Sequence, residues 1–171
     1  MLYEVKKKIS EIVKKFDWLL LALCVMIPVV TGCVSSVIIG KGVLDYKGLA
    51  KPPLAPSGWM FSIIWLLLYL LIGVALYLIM INQDVGFRER KMGLWLFGGQ
   101  LFFNFLWNIL FFKFGLRFNG FLVIIIIICS VVMMSLVFKR IDKKAFYLLI
   151  PYMVWLVFLL YFNIGMWILN M

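Results

Sequence analysis

The chain has 171 residues, of which 66% are apolar and 14% charged, against roughly a quarter charged in an average soluble domain. There are 17 Lys and Arg against 7 Asp and Glu, for a formal net charge of +10, and no histidine. This composition excludes disorder, a secreted disulfide scaffold and an ordinary soluble enzyme, and it reads as an integral membrane protein.

Without histidine the chain lacks the commonest general base and the commonest metal ligand. Cys24, Cys33 and Cys129 all fall in apolar runs without a C-x-x-C pair. They read as small packing residues, with no disulfide or metal site expected. The excess of cations points to loops facing anionic headgroups rather than to nucleic acid.

In chain order, residues 1–17 read as a basic amphipathic segment. Val5, Ile9, Ile12, Val13 and Phe16 fall at helical spacing with lysines between them, as in a helix lying on the inner leaflet. Residues 18–171 then form one transmembrane domain. A membrane-crossing helix needs about 20 mostly apolar residues, and the runs 18–39, 57–81, 93–112, 119–138 and 146–169 qualify, none containing Lys, Arg, Asp or Glu. The fold class is therefore all-α, a bundle of five transmembrane helices. The first run is too long for a signal-peptide core and is expected to remain in the protein. Within it, Pro28 reads as a kinking position, and the Gly32-x-x-x-Ser36 spacing permits a close approach by another helix.

Five spans put the two ends of the domain on opposite faces. One face carries Lys6, Lys7, Lys8, Lys14, Lys15, Arg88, Arg90, Lys91, Lys139, Arg140, Lys143 and Lys144, twelve cations; the other carries Lys41, Lys47, Lys51, Lys113 and Arg117, five. The positive-inside rule then places the N-terminus in the cytoplasm, of a bacterial cytoplasmic membrane in this reading, and the C-terminus outside.

The loop 40–56 is the longest connection. Pro52, Pro53 and Pro56 stiffen its second half, and Ser57 is placed to cap the next helix. Such a loop is either a lid over a site or a rigid turn that sets the entry angle of the following span. Of the seven tryptophans, Trp18, Trp59, Trp95 and Trp167 sit near span ends, as an interfacial belt does, whereas Trp65, Trp107 and Trp155 lie deeper.

The third span carries Gln100, Asn104 and Asn108 at i, i+4 and i+8 beside Trp107 and Phe111. Amides facing lipid would be costly, so they are expected to face the bundle interior. There they act either as interhelical glue or, with the deep aromatics Trp65, Tyr69, Tyr152 and Trp155, as the lining of a pocket for a flat, mostly apolar ligand.

These residues together resemble the TspO/MBR family of tryptophan-rich sensory and translocator proteins, from about Tyr46 to the C-terminus. The lid carries Asp45-Tyr46 and Leu49-Ala50-Lys51-Pro52-Pro53-Leu54-Ala55-Pro56-Ser57. The second span carries Trp59-Met60-Phe61, Trp65 and Leu68-Tyr69. The third carries Gln100-Leu101, Asn104, Trp107 and Phe111-Phe112, and the fifth Pro151-Tyr152, Trp155, Phe158 and Asn163.

The resemblance implies a five-helix bundle, often a homodimer, in which the first loop covers a pocket that takes porphyrins such as protoporphyrin IX. No obligatory cofactor is implied, and the implied partners are the lipid bilayer and the ligand. Carried over by motif, the ligand-binding set is Tyr46, Pro53, Trp65, Tyr69, Asn104, Trp107, Asn108, Tyr152, Trp155, Leu159 and Asn163. Trp65 and Trp155 match tryptophans linked to light-dependent porphyrin breakdown in bacterial members. A receptor, a photochemical porphyrin-degrading protein and a facilitator of lipophilic-ligand transport are the three functions this implies.

The sequence departs from the family pattern at Asp45, Leu54 and Ser57, which replace Trp, Trp and Pro, and at Leu159, where many members have Ala. Leu159 would narrow the pocket. After Tyr161 there is no Lys or Arg, so the cholesterol motif is missing and cholesterol binding is not expected. Gly93, Gly98 and Gly99 make the third span a candidate for the dimer contact.

A reporter fused after residue 171 is expected on the non-cytoplasmic side; a cytoplasmic C-terminal reporter would reverse the assigned orientation.

Overall fold

Within a bilayer, water cannot satisfy backbone N–H and C=O groups, so an apolar chain crosses as a helix that pairs them internally. In the computed structural model, which describes residues 17–40, 46, 48–82 and 86–171, five such helices follow one another: α1 (Trp18–Ile39), α2 (Gly58–Ile81), α3 (Phe87–Asn108, continued by a π-helical turn, Ile109–Lys113), α4 (Arg117–Ile141) and α5 (Lys143–Leu169). All five are long and apolar enough to cross a membrane, and the described residues contain no strand. The expected all-α membrane architecture is therefore the one observed. The basic amphipathic segment expected at 1–17 lies outside the described residues, except for Asp17.

The first two helices keep the limits of their apolar runs to within one residue. The last three extend past them. α3 starts at Phe87 rather than Gly93, and α4 and α5 begin at Arg117 and Lys143 rather than at 119 and 146. Long cationic side chains can reach headgroups from a helical turn outside the hydrocarbon layer, so helical backbone outlasts the apolar pattern. Little connection remains: Asp142 alone separates α4 from α5, and its carboxylate accepts from the Lys144 amide at 2.6 Å. Asp17 caps α1 in the same way, accepting from the Leu20 amide at 2.9 Å. Ser57 does occupy the N-cap of α2, but its hydroxyl makes no capping hydrogen bond.

The helices pack in a ring, α1 against α2, α2 against α5, α5 against α4 and α4 against α3, with α1 closing onto α3 and its π turn. Two glycines set the spacing between α1 and α2. A Cβ on Gly32 would lie 2.5 Å from the Tyr69 ring, and one on Gly73 would lie 2.6 Å from the Val25 Cα. The small-residue spacing read in α1 thus admits an aromatic ring rather than a bare helix backbone. The tryptophans separate as their depths suggest. Trp18, Trp59 and Trp95 are largely exposed and Trp107 is fully buried; Trp167 stacks on Phe121. Of the cysteines, only Cys24 packs in the core; Cys33 and Cys129 are exposed, and all three are free thiols.

The second half of the 40–56 loop is docked on the C-terminal end of α5. Asn170 accepts from the Ala50 amide at 3.0 Å and donates to the Ala50 carbonyl at 2.8 Å, and the Tyr161 hydroxyl donates to the Pro53 carbonyl at 3.0 Å. Pro52 is buried against Gly165, where a Cβ would come within 2.7 Å of it. The turn that follows is closed by the Ala55 amide on the Pro52 carbonyl at 3.2 Å. It places exposed Leu54 at φ 63°, a left-handed position that favours glycine.

Candidate functional site

The amides of α3 all turn inward. Gln100, Asn104 and Asn108 are buried, and Asn104 is the hub of a network joining three helices. Its Oδ1 accepts from the Tyr69 hydroxyl of α2 at 3.3 Å, and its Nδ2 donates to the Tyr152 hydroxyl of α5 at 3.0 Å. Tyr152 in turn donates to Gln100 Oε1 at 2.9 Å. Asn108 donates to the Asn104 carbonyl at 3.1 Å. A second link lies nearer the lid, where the Trp107 indole donates to Asn163 Oδ1 at 3.0 Å and Asn163 Nδ2 donates to the Leu159 carbonyl at 2.8 Å. Low dielectric strengthens such bonds and makes a missing partner expensive, so this network fixes α2, α3 and α5 in register.

On one side of the network opens a cavity of about 460 Å³ between α1, α2 and the end of α3. Phe61, Trp65, Tyr69 and Phe112 form its aromatic wall, and α1 supplies Gly32, Cys33, Ser35 and Ser36, with Ser62 and Asn108 also lining it. No charged side chain is among its lining residues. Trp65 Nε1 is buried without a hydrogen-bond partner. An orphaned buried donor costs roughly 1–3 kcal/mol, which an acceptor placed in the cavity would recover. Trp155 Nε1, Gln100 Nε2 and, at the far end of α3, Arg90 Nε are the other buried donors without a partner among the described residues.

The residues singled out from the sequence therefore divide by place. Trp65, Tyr69 and Asn108 line the cavity. Asn104, Tyr152, Trp107 and Asn163 stand behind its wall as the network, and the Trp107 ring lies 6.1 Å from that of Trp65. Leu159 is fully buried in the core. Trp155 is half-buried, edge-on to Phe61 at 5.9 Å and stacked on Phe158 at 5.0 Å. Tyr46 is buried beneath the lid among Phe61, Phe112 and Phe162, and its hydroxyl donates to the Pro56 carbonyl at 2.8 Å. Burial pushes its phenol up to about 12, so this latch stays protonated across the physiological range. Pro53 is exposed, and its neighbour Pro52 is the lid proline that packs inward.

Sequence reasoning placed no α1 residue in the binding set, reading Gly32 and Ser36 only as a close-packing spacing, although α1 forms much of the cavity. The cluster of small and polar residues Gly32, Cys33, Ser35 and Ser36 was the available signal. Phe112 was noted only as part of a motif. Its position depends on the π turn, in which the Phe114 amide bonds the Ile109 carbonyl at 3.1 Å.

Five membrane-crossing helices around an amide network, with an uncharged aromatic cavity beside a docked lid segment, define an all-α membrane protein with an apolar cavity inside its bundle. The chain belongs to the TspO/MBR family, whose pattern it matches over residues 24–168, most of α1 included. It is 38% identical over 125 residues to the tryptophan-rich protein TspO of Archaeoglobus fulgidus, covering 73% of this chain and 79% of that one. It is 31% identical over 155 residues to TspO of Chlorobaculum tepidum, covering 89% and 96% respectively. The Homo sapiens translocator protein is 31% identical over 131 residues, covering 75% and 76%.

Because Asn104 serves both tyrosines, Asn104→Leu is expected to cost on the order of 2 kcal/mol by orphaning the Tyr69 hydroxyl and removing the donor to Tyr152, which keeps its bond to Gln100, whereas Tyr69→Phe, which removes a single interhelical bond, costs about 0.6 kcal/mol. Unfolding in mixed micelles compares the two variants; equal losses would mean that the bond from Asn104 to Tyr152 adds nothing and that Asn104 is no hub.

Proposed function

We propose that this protein is a membrane receptor or regulator that binds a porphyrin-like, flat and mostly apolar ligand in the cavity between α1, α2 and the end of α3, beside the lid. One observation carries the reading: the cavity of about 460 Å³ is walled by Phe61, Trp65, Tyr69 and Phe112 and retains a buried, unpartnered indole donor at Trp65. Its volume falls in the range of small-molecule sites, roughly 300–1,000 Å³, and its lining combines aromatic faces with a few neutral polar groups, as such sites do. A macrocycle stacks on aromatic rings through its faces and takes orientation from one or two hydrogen bonds. Ser35, Ser36, Ser62 and Asn108 offer those groups, and none of them is an acid, base or metal ligand suited to conventional catalysis.

The lid side of the bundle lies away from the cytoplasm in this reading. The protein works as a homodimer, for which the open face of α3 at Gly98 and Gly99 is the proposed contact.

Titration with protoporphyrin IX is expected to quench tryptophan fluorescence saturably. Trp65→Phe should weaken binding several-fold, and Trp18→Phe, at an exposed span end, should leave the affinity unchanged. Absence of saturable quenching, or equal affinity in both variants and the parent, would contradict this assignment.

A further inference from the structure

A second, smaller cavity of about 250 Å³ lies under the lid, bounded by Tyr46, Leu49, Phe111, Phe112, Lys113 and Arg117. Phe112 lines both cavities, so a single ring forms their common wall. The π turn Ile109–Lys113 sets this arrangement: Phe112 faces both cavities and Lys113 follows it on the rim of the smaller one. Among the described residues no carboxylate pairs with Lys113 or Arg117.

The charge pattern of the whole chain sharpens the point. The segments on the lid face carry Lys41, Lys47, Lys51, Lys113 and Arg117 with Asp45 as the one acid, while the twelve cations of the opposite face share theirs with Glu4, Glu11, Asp17, Asp84, Glu89 and Asp142. The positive-inside rule accounts for cations on the richer face and gives no reason for a five-to-one excess of cations over acids in the lid-face segments. The larger cavity, by contrast, is lined only by uncharged residues. An ionised carboxylate drawn into it would lose its hydration with no cation to offset the loss.

We propose that the smaller cavity is the anion subsite of the bundle's ligand site: Lys113 and Arg117 hold a carboxylate of an amphiphilic ligand whose apolar body occupies the larger cavity, with Phe112 between them. This rests on the reading of the larger cavity as the ligand pocket. The arrangement selects flat apolar molecules that carry an acidic edge over fully neutral ones, because each end of such a ligand meets its own chemistry. Arg117 adds a planar fork matched to a carboxylate.

The test uses the full chain in phosphatidylcholine nanodiscs, titrated with protoporphyrin IX and with its neutral dimethyl ester and followed by tryptophan quenching. In Lys113→Gln/Arg117→Gln the affinity for the dicarboxylate is expected to fall about tenfold or more, while that for the diester stays within about twofold. Raising salt should weaken only the dicarboxylate. Retained diester binding shows that the variant is folded. Arg88→Gln, on the opposite face, should change neither affinity.

Unchanged dicarboxylate affinity in the double variant, or an equal loss for both compounds, overturns the subsite and leaves the pocket standing. Failure of either porphyrin to bind the parent protein overturns both. Variants that respond to phosphatidylglycerol in place of phosphatidylcholine, and not to the ligand's carboxylates, assign the two cations to lipid headgroups and overturn the proposal as well.

Discussion

The requirement that polar groups inside a bilayer be satisfied by the protein itself governs this structure more than any single apolar contact. Lipid is as apolar as leucine, so burying leucine between helices gains little there; hydrogen bonds and close packing decide how helices meet. Asn104 is where that requirement is met most fully. By accepting from Tyr69 and donating to Tyr152, which itself reaches Gln100, it ties α2 and α5 to α3. Trp107 and Asn163 repeat the device one turn toward the lid. α4 adds mainly apolar surface to this core, through Ile124, Ile127, Val131 and Met134, and its buried Ser135 bonds its own helix backbone.

The cavity arises where the network stops. α1 contributes no amide or buried aromatic hydroxyl; it meets α2 through glycines and leaves small residues facing Trp65 and Phe61. Both amide atoms of Asn104 have partners, whereas the Trp65 indole at the cavity wall has none. The lid is held independently, by Asn170, Tyr161 and Gly165 at the end of α5 and by the Tyr46 latch.

Much of this was legible in the sequence, for identifiable reasons. Charge-free apolar runs gave all five spans, because solvation in lipid is decided by composition over about 20 residues. The inward turn of Gln100, Asn104 and Asn108 followed from their i, i+4, i+8 spacing and the cost of amides in lipid. Helix ends were less legible: Arg88, Glu89, Arg90 and Lys91 are helical although no apolar pattern includes them, since headgroups solvate charged turns. The π turn has no period that a sequence reveals, and it determines which ring separates the two cavities. Nor could spacing tell glue from pocket lining. Asn104 and Asn108 are one turn apart on the same face, yet only Asn108 reaches the cavity, because the rings of Tyr69 and Tyr152 close over Asn104.

We propose the amide network as scaffold and the space between α1 and α2 as the binding site. A structure of the protein crystallised with protoporphyrin IX tests this most directly. The macrocycle is expected between α1 and α2 against Trp65 and Phe112, with an acceptor within hydrogen-bond distance of Trp65 Nε1 and the Asn104 contacts to Tyr69 and Tyr152 unchanged. A macrocycle bound elsewhere, or bound with Asn104 released from both tyrosines, would contradict it.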